Sequence, residues 1–196
     1  MPGTKGFSTD LALRDLMTVF WDKGYEGSSI TDLEAATGLR RGSLYNAFGT
    51  KESMFRLAFH RYGREIEDAL LADLEAPDFG TALRQMLLGL ASRSEPDLPP
   101  GCLISRAATE LGARQDELGV TVRQRLSDTE RQLCTRLERE AAEGRLMPCF
   151  QPLRLARFIA GSMRAVPTFA MTAGQPAAID MAGTVADHVE AVLTRD

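Results

Sequence analysis

Residues 29–51 read SITDLEAATGLRRGSLYNAFGTK, and this stretch decides the fold. Ser28 or Ser29 stands before a short apolar pattern, Ile30, Leu33 and Ala36, spaced for one face of a helix. Serine suits that position because its side-chain oxygen accepts a hydrogen bond from an unpaired N–H of the first turn. Gly38 stops the helix, since glycine enters the left-handed conformation of a C-terminal cap without steric cost. Ala35 and Ala36 are read as the small packing side that lets a second helix cross closely, with Leu39 plugging the junction. The second helix, 40–48, anchors through Leu44 and Phe48 and starts with Arg40, Arg41, Gly42 and Ser43. A small, polar helix start of this kind fits a major groove about 12 Å wide.

The chemistry distributes roles over this helix-turn-helix. Free amides at a helix N-terminus attract phosphate, which makes Ser28, Ser29 and Thr31 candidates for contacts to a nucleic-acid backbone. Lys51, opening the next helix, is placed for a further phosphate. Arg40 or Arg41 suits guanine and Asn46 suits adenine, because their donor patterns match those base edges. Tyr45 offers a rigid ring and a hydroxyl, and Gly42 and Ser43 complete the candidate face.

Outward from that segment, helical periodicity continues in both directions. Leu11, Leu13, Leu16, Met17, Phe20 and Trp21 make an apolar stripe, capped by Ser8 or Thr9 and ended by Gly24. Further helices are expected over 51–75, 79–92, 102–111, 116–143, 153–171 and 177–193, with Pro167 expected to kink or break the penultimate one. The segment SEPDLPPG, 94–101, reads as a loop. The expectation is an all-α fold of about nine helices. A three-helix head occupies residues 1–50, and a helical ligand-binding and dimerisation domain occupies residues 51–196.

The net charge of −4 looks unfavourable for a nucleic-acid partner until it is divided. Residues 1–64 carry nine Lys/Arg against seven Asp/Glu, or +2, and the remainder carries fourteen against twenty, or −6. A basic head on an acidic body keeps the right sign where it matters. No apolar run reaches the roughly 18 residues that span a bilayer, and residues 1–10 lack the apolar stretch of a signal peptide. The expected location is cytoplasmic, without membrane contact. Cys102, Cys134 and Cys149 have no metal-type spacing, and no metal or cofactor is expected. There is no Gly-rich phosphate loop, no nucleophile elbow and no HExxH pattern, so an enzyme is not expected. Glu138, Glu140 and Glu143, on a helix with Arg136, Arg139 and Arg145, read as a solvated face. The alternative to a DNA-binding regulator is a helical adaptor whose head binds protein.

The run Phe20, Gly24, Tyr25, Ser28, Ser29, Ile30, Leu33, Ala36, Gly38, Leu39, Gly42, Ser43, Leu44, Tyr45, Phe48, Lys51 and Phe55 resembles the TetR family of transcriptional repressors, continuously over residues 13–57. Arg40 departs from the pattern, which often has Ser or Thr there as a helix cap. The resemblance implies double-stranded operator DNA as partner. It also implies a homodimer joined through the last two long helices, and release by a small-molecule effector held in the body. Two stripes are offered for the dimer: Phe158, Ile159, Ser162, Met163 and Val166, then Met181, Val185, His188, Val189 and Val192. The competing reading is that they bury against their own chain.

Candidate effector residues are Met86, Leu90, Cys102, Ser105, Arg106, Thr109, Met163, Arg164 and Phe169. A buried guanidinium needs a partner. For Arg106 that partner is either Glu110, one turn on, or an anionic effector, and Arg164 poses the same question. Gly101-Cys102-Leu103-Ile104 resembles the segment of family members that sense electrophiles through that cysteine. The alternative for Cys102 is a small buried hydrophobe.

Overall fold

The computed structural model describes residues 8–92 and 98–193; residues 94–97 of the expected proline-rich loop and the segment 1–7 lie outside them. All regular structure among the described residues is helical. The helices are α1 (Thr9–Lys23), α2 (Ile30–Thr37), α3 (Arg41–Phe48), α4 (Lys51–Tyr62), α5 (Asp68–Asp73), α6 (Phe79–Ser92), α7 (Leu103–Leu111), α8 (Glu117–Ala142), α9 (Pro152–Thr172) and α10 (Gln175–Glu190). A π-helical turn, Gly63–Glu67, joins α4 to α5, so the two form one interrupted rod where a single helix over 51–75 was expected. Counting that rod once gives the nine helices expected.

Two apolar cores organise the chain. One joins α1 to α4 and is built from Leu16, Phe20, Trp21, Leu33, Leu44, Phe48, Phe55 and Phe59. Rings meet edge-on there, Phe20 with Phe55 at 5.3 Å and Trp21 with Tyr62 at 4.8 Å between centroids, an arrangement that aromatic quadrupoles favour. Leu103, Ile104, Ala107 and Leu111 of α7 belong to the same core, as do Leu118 and Val122 of α8. The second core packs α10 on α6 and α9, and α8 on α9. The expected boundary at residue 50 falls in the turn before α4, whose Met54, Phe55, Ala58 and Phe59 pack into the first core.

Several expectations are corrected. Pro167 does not break α9, which runs unbroken through it; Pro167 and Val166 are buried, and packing overrides the local cost of the lost N–H. Leu11 is exposed and Leu13 only half-buried; Ala12, one residue round, faces the core instead. Ala35 and Ala36 are both exposed, so they are not the packing side of α2. Leu33 and Leu44, each at 0% exposure, close the α2–α3 crossing with half-buried Leu39. Most of the two stripes offered for a dimer bury against their own chain, since Ile159, Ser162, Met163, Val166, Val185, Val189 and Val192 are all buried. Phe158 and His188 remain outside, with their rings 6.1 Å apart.

Candidate nucleic-acid interface and body cavity

Ser29 caps α2 with a reciprocal pair of bonds. Its Oγ accepts from the Asp32 N–H at 3.1 Å, and Asp32 Oδ2 accepts from the Ser29 N–H at 2.7 Å. Lys23 donates to the same carboxylate. Together these hold the Asp32 carboxyl well below the usual carboxylate range, the Lys23 bond being the largest cause. Gly38 sits at φ 67°, in the left-handed region, and turns the chain toward α3.

The question raised by Arg40 has a specific answer. Arg40 occupies the N-cap of α3 and makes no side-chain cap bond. Glu34, on α2, supplies the acceptor instead: its Oε1 takes the Arg41 N–H at 2.6 Å. A carboxylate suits the positive end of a helix dipole. With the cap provided from outside, the Arg40 side chain points to solvent without a structural duty.

Arg40, Arg41, Gly42, Ser43, Tyr45 and Asn46 are all exposed, whereas Leu44 and Phe48 are buried. The Arg41 guanidinium lies 5.6 Å from the Tyr45 ring centroid. Ser29 and Thr31 are exposed at the start of α2. Lys51 Nζ stands 4.5 Å from the Tyr25 ring centroid, over its face. Ser28 is placed otherwise than the sequence suggested. It is buried, and its hydroxyl donates to the Tyr25 carbonyl at 2.9 Å, so it closes the α1–α2 turn and is turned away from the exposed face.

Below the head lies a cavity of about 310 Å³, lined by Tyr62, Leu90, Cys102, Pro167 and Met171 among others. A compartment of about 30 Å³ adjoins it and shares Tyr62, Leu90 and Cys102. The inner compartment adds Ile66, Glu67, Thr129, Met163 and Arg164. Of the nine body residues singled out in the sequence, Leu90, Cys102, Met163 and Arg164 line one or both spaces. The other five line neither. Met86 is in the second core, Phe169 faces outward at 44% exposure, and Arg106 is half-buried. The Ser105 hydroxyl donates to the Arg164 carbonyl at 3.2 Å, and the Thr109 hydroxyl donates to the Ser105 carbonyl at 3.1 Å.

Sequence reading missed Tyr62, Glu67 and Pro167. Tyr62 and Glu67 reach the cavity through the π turn, which no periodicity announces, and Pro167 had been read only as a helix breaker.

Glu110 is not the partner of Arg106. Its two oxygens accept the N–H groups of Tyr25 at 2.9 Å and Glu26 at 2.7 Å, in the turn after α1. Those amides would otherwise lack acceptors, whereas half-exposed Arg106 remains accessible to water. Arg114 adds a second tie to that turn through Glu26.

Cys102 is the N-cap residue of α7, makes no cap bond, and is a free, half-buried thiol. Among the described residues no group of three or more metal-ligating side chains is found, and no helix is long and apolar enough to cross a membrane.

A capped, exposed second helix on a compact head, carried by an all-helical body, defines a helix-turn-helix DNA-binding regulator. Comparison with known proteins specifies it further. Residues 13–58 match the family described as bacterial regulatory proteins, tetR family, and residues 81–186 match the tetracyclin repressor-like C-terminal domain. The chain belongs to the TetR family of transcriptional regulators.

It is 32% identical over 158 residues to the HTH-type transcriptional repressor ComR of Escherichia coli (strain K12), covering 79% of this chain and 75% of that protein. It is 34% identical over 120 residues to the HTH-type regulator YezE of Bacillus subtilis (strain 168), covering 60% and 62%. Among solved structures, a cysteine mutant of the TetR-family regulator CifR bound to 26-base-pair operator DNA superposes with a TM-score of 0.80. That match has 26% identity and covers 98% of this chain and 100% of the other. A TetR regulator from Chloroflexus aurantiacus matches in fold, with TM-score 0.82 at 23% identity over 94% and 95% of the two chains.

Proposed function

We propose that this regulator is a homodimeric repressor that sets its two α3 helices into successive major grooves of an operator and leaves when an effector occupies the body cavity. The observation that carries the reading is the exposed residues Arg40, Arg41, Ser43, Tyr45 and Asn46, on a helix whose N-terminus Glu34 caps. Arg40 and Arg41 are the candidates for base edges or phosphates. Ser29, Thr31 and Lys51 flank the groove as backbone contacts, and bare Gly42 permits close approach. Two-fold operators call for a dimer, with half-sites about 34 Å apart. Exposed Leu153 and Phe158 on α9 and Ile179 on α10 are apolar surface suited to a partner copy.

Release follows from α7. Its first residue, Leu103, follows Cys102 in the cavity wall, and Glu110 near its end holds the turn that enters α2. An occupant that displaces α7 therefore pulls on the head, and a ligand favouring that arrangement shifts the population away from the DNA-competent one. Modification of Cys102 by an electrophile is a second trigger at the same wall; the sulfur bonds to the electrophilic carbon and the thiol proton passes to the adduct.

Binding-site selection with the purified protein, followed by anisotropy titrations at several salt concentrations, tests the reading. A selected sequence bound far more tightly than random DNA is expected. Failure to bind any duplex at low salt would return the chain to the adaptor class. Mass spectrometry after mild electrophile treatment tests the second trigger, which fails if Cys134 or Cys149 reacts while Cys102 does not.

A further inference from the structure

Arg136 and one edge of the Arg164 guanidinium are withdrawn from water, and the fold treats them differently. Arg136 is satisfied on every side. Its Nε donates to the Leu74 carbonyl at 2.9 Å, its Nη2 to the Ala76 carbonyl at 3.1 Å, and its Nη1 to Glu140. Arg164 has one bond only, from Nη1 to the Ala160 carbonyl of its own helix at 2.6 Å. Its Nε and Nη2 are buried and have no hydrogen-bond partner among the described residues. Leaving a buried cation in this state is costly, and burial draws its pKa down from the ordinary arginine value.

The vacant pair of nitrogens has a defined chemistry. On Arg84 the same two atoms, Nε and Nη2, hold the two oxygens of the Glu190 carboxylate at 2.7 and 2.9 Å. This is the fork geometry that matches a planar carboxylate. Arg164 lines the inner compartment of about 30 Å³, larger than the roughly 10–15 Å³ that one water occupies. The carboxylate in its wall, Glu67, is already engaged: Oε1 accepts from the Thr129 hydroxyl at 2.8 Å and Oε2 from Arg125. Arg125 is engaged in turn with Asp68 at 2.7 Å and with the Gly63 carbonyl at 2.9 Å. Among the described residues that line it, the inner space therefore has one uncommitted charge, and it is positive. Tyr62, Leu90 and Cys102 border both spaces, and the larger one is bounded further by Leu98, Pro99, Ala170 and Met171.

We infer that the body cavity binds an organic carboxylate, with the Arg164 guanidinium turning its buried Nε–Nη2 edge into the inner compartment to receive the carboxylate group and the ligand's apolar body lying in the outer one. This deepens the effector reading above and rests on it for the regulatory consequence, but the binding itself does not require DNA.

The test uses the full chain without DNA. Thermal shift and calorimetric titration compare hexanoate, octanoate, decanoate and phenylbutyrate, each at up to millimolar concentration, with octanamide and octylamine. At least one carboxylate is expected to raise the melting temperature and to bind saturably, with the amide and amine inactive. Arg164→Met should weaken that carboxylate by roughly tenfold to a hundredfold, the loss of charge-assisted bonds, while Arg164→Lys retains part of the binding. Cys149→Ser, at an exposed cysteine that lines neither space, should bind as the parent does.

Ligand-free Arg164→Met is also expected to melt at a higher temperature, because it removes an unsatisfied buried cation. A lower melting temperature would mark Arg164 as structural and overturn the inference. So would equal binding of octanoate and octanamide, parent-like binding by Arg164→Met, or no binding by any of the four carboxylates. Operator release is read separately. Carboxylate binding at Arg164 that leaves DNA binding unchanged would sink the effector reading and leave the site standing.

Discussion

Glu110 and Tyr25 are 85 positions apart in sequence, yet the Glu110 carboxylate accepts the Tyr25 N–H at 2.9 Å. The contact fixes the head on the body at the end of α1. It also explains Gly24, where φ is 78° and a Cβ would lie 2.7 Å from Glu110 Oε2. Only glycine combines that backbone with that approach. Glu110→Ala removes the acceptors of two amides and should cost roughly 1–3 kcal/mol in chemical denaturation. If α7 transmits the cavity's state, the variant should also hold operator with a weakened response to effector. A response equal to that of the parent would remove α7 from the path.

The cap of α3 gives a second prediction. Glu34→Ala takes the acceptor from the Arg41 N–H and should destabilise the head by about 1 kcal/mol, the usual worth of an N-cap. Glu34→Gln retains an oxygen acceptor and should lose less. Arg40→Ala should leave stability unchanged, because Arg40 makes no cap bond. Its effect belongs to DNA. A changed base preference at one operator position marks base reading, while uniform weakening with a salt slope lower by about 1 marks a phosphate contact. Parent-like affinity, selectivity and salt slope would take Arg40 out of the interface.

The helix-turn-helix was legible because its signals are local. Ser29, Gly38, Leu44 and Phe48 act within one or two turns, and their spacing survives into the fold. The nine-helix organisation was legible for the same reason. Details that depend on distant residues were not. Glu34 capping α3, Glu110 serving the α1–α2 turn and Glu67 entering the cavity through a π turn are choices of acceptor made between elements. A sequence presents all three as charged residues on helix surfaces. Ser28 and Ser29 show the limit most closely: adjacent and chemically identical, one caps α2 and the other is buried, and only the packing of Tyr25 separates them.

Glu140 anchors a buried network at the far end of α8. Arg136 and Glu140 have side chains only 7% and 4% exposed, and Arg145 reaches the same carboxylate at 2.8 Å. Removing Glu140 strips buried Arg136 of its counter-charge and leaves it two carbonyl bonds, while Arg145 keeps Glu143. Glu140→Ala should therefore cost about 3–5 kcal/mol, far more than an exposed pair such as Arg139–Glu75, worth at most about 1 kcal/mol. Denaturant midpoints of Glu140→Ala and Glu75→Ala compare the two directly. Equal losses would contradict this assignment.

The response to acid follows from the same carboxylates. Burial raises the Glu140 carboxyl, but the bonds from Arg145 and Arg136 more than reverse it, and its pKa is lowered overall. Asp10 is lowered chiefly by its bond from Arg61, Asp32 by Lys23 and Asp116 by Arg114. A carboxyl held lower in the folded state than in the unfolded one stabilises the fold above the unfolded value, about 4, and loses that contribution as pH falls through the folded value. Stability should decline slightly as pH falls below about 6.5, where partial burial holds His60 neutral in the fold, and more steeply below about pH 4. Asp32→Asn should make the decline shallower. An undiminished slope in that variant would show that Asp32 is not among the groups responsible.

Gly42 separates folding from recognition. It lies in the first turn of α3, fully exposed, and a Cβ built there meets nothing within 4 Å. The fold therefore has no steric need for glycine at this position. Glycine inside a helix costs about 0.5–1 kcal/mol relative to alanine, so Gly42→Ala should stabilise the head by up to that amount. A groove-facing helix, by contrast, gains from a bare position where DNA backbone or base edges come close. Gly42→Leu should fold with at least parent-like stability and lose operator binding by more than an order of magnitude. Circular dichroism melts and operator titrations on the same two variants decide the matter. Full operator affinity in Gly42→Leu would mean that this side of α3, which Tyr45 and Asn46 share one turn on, faces away from the groove.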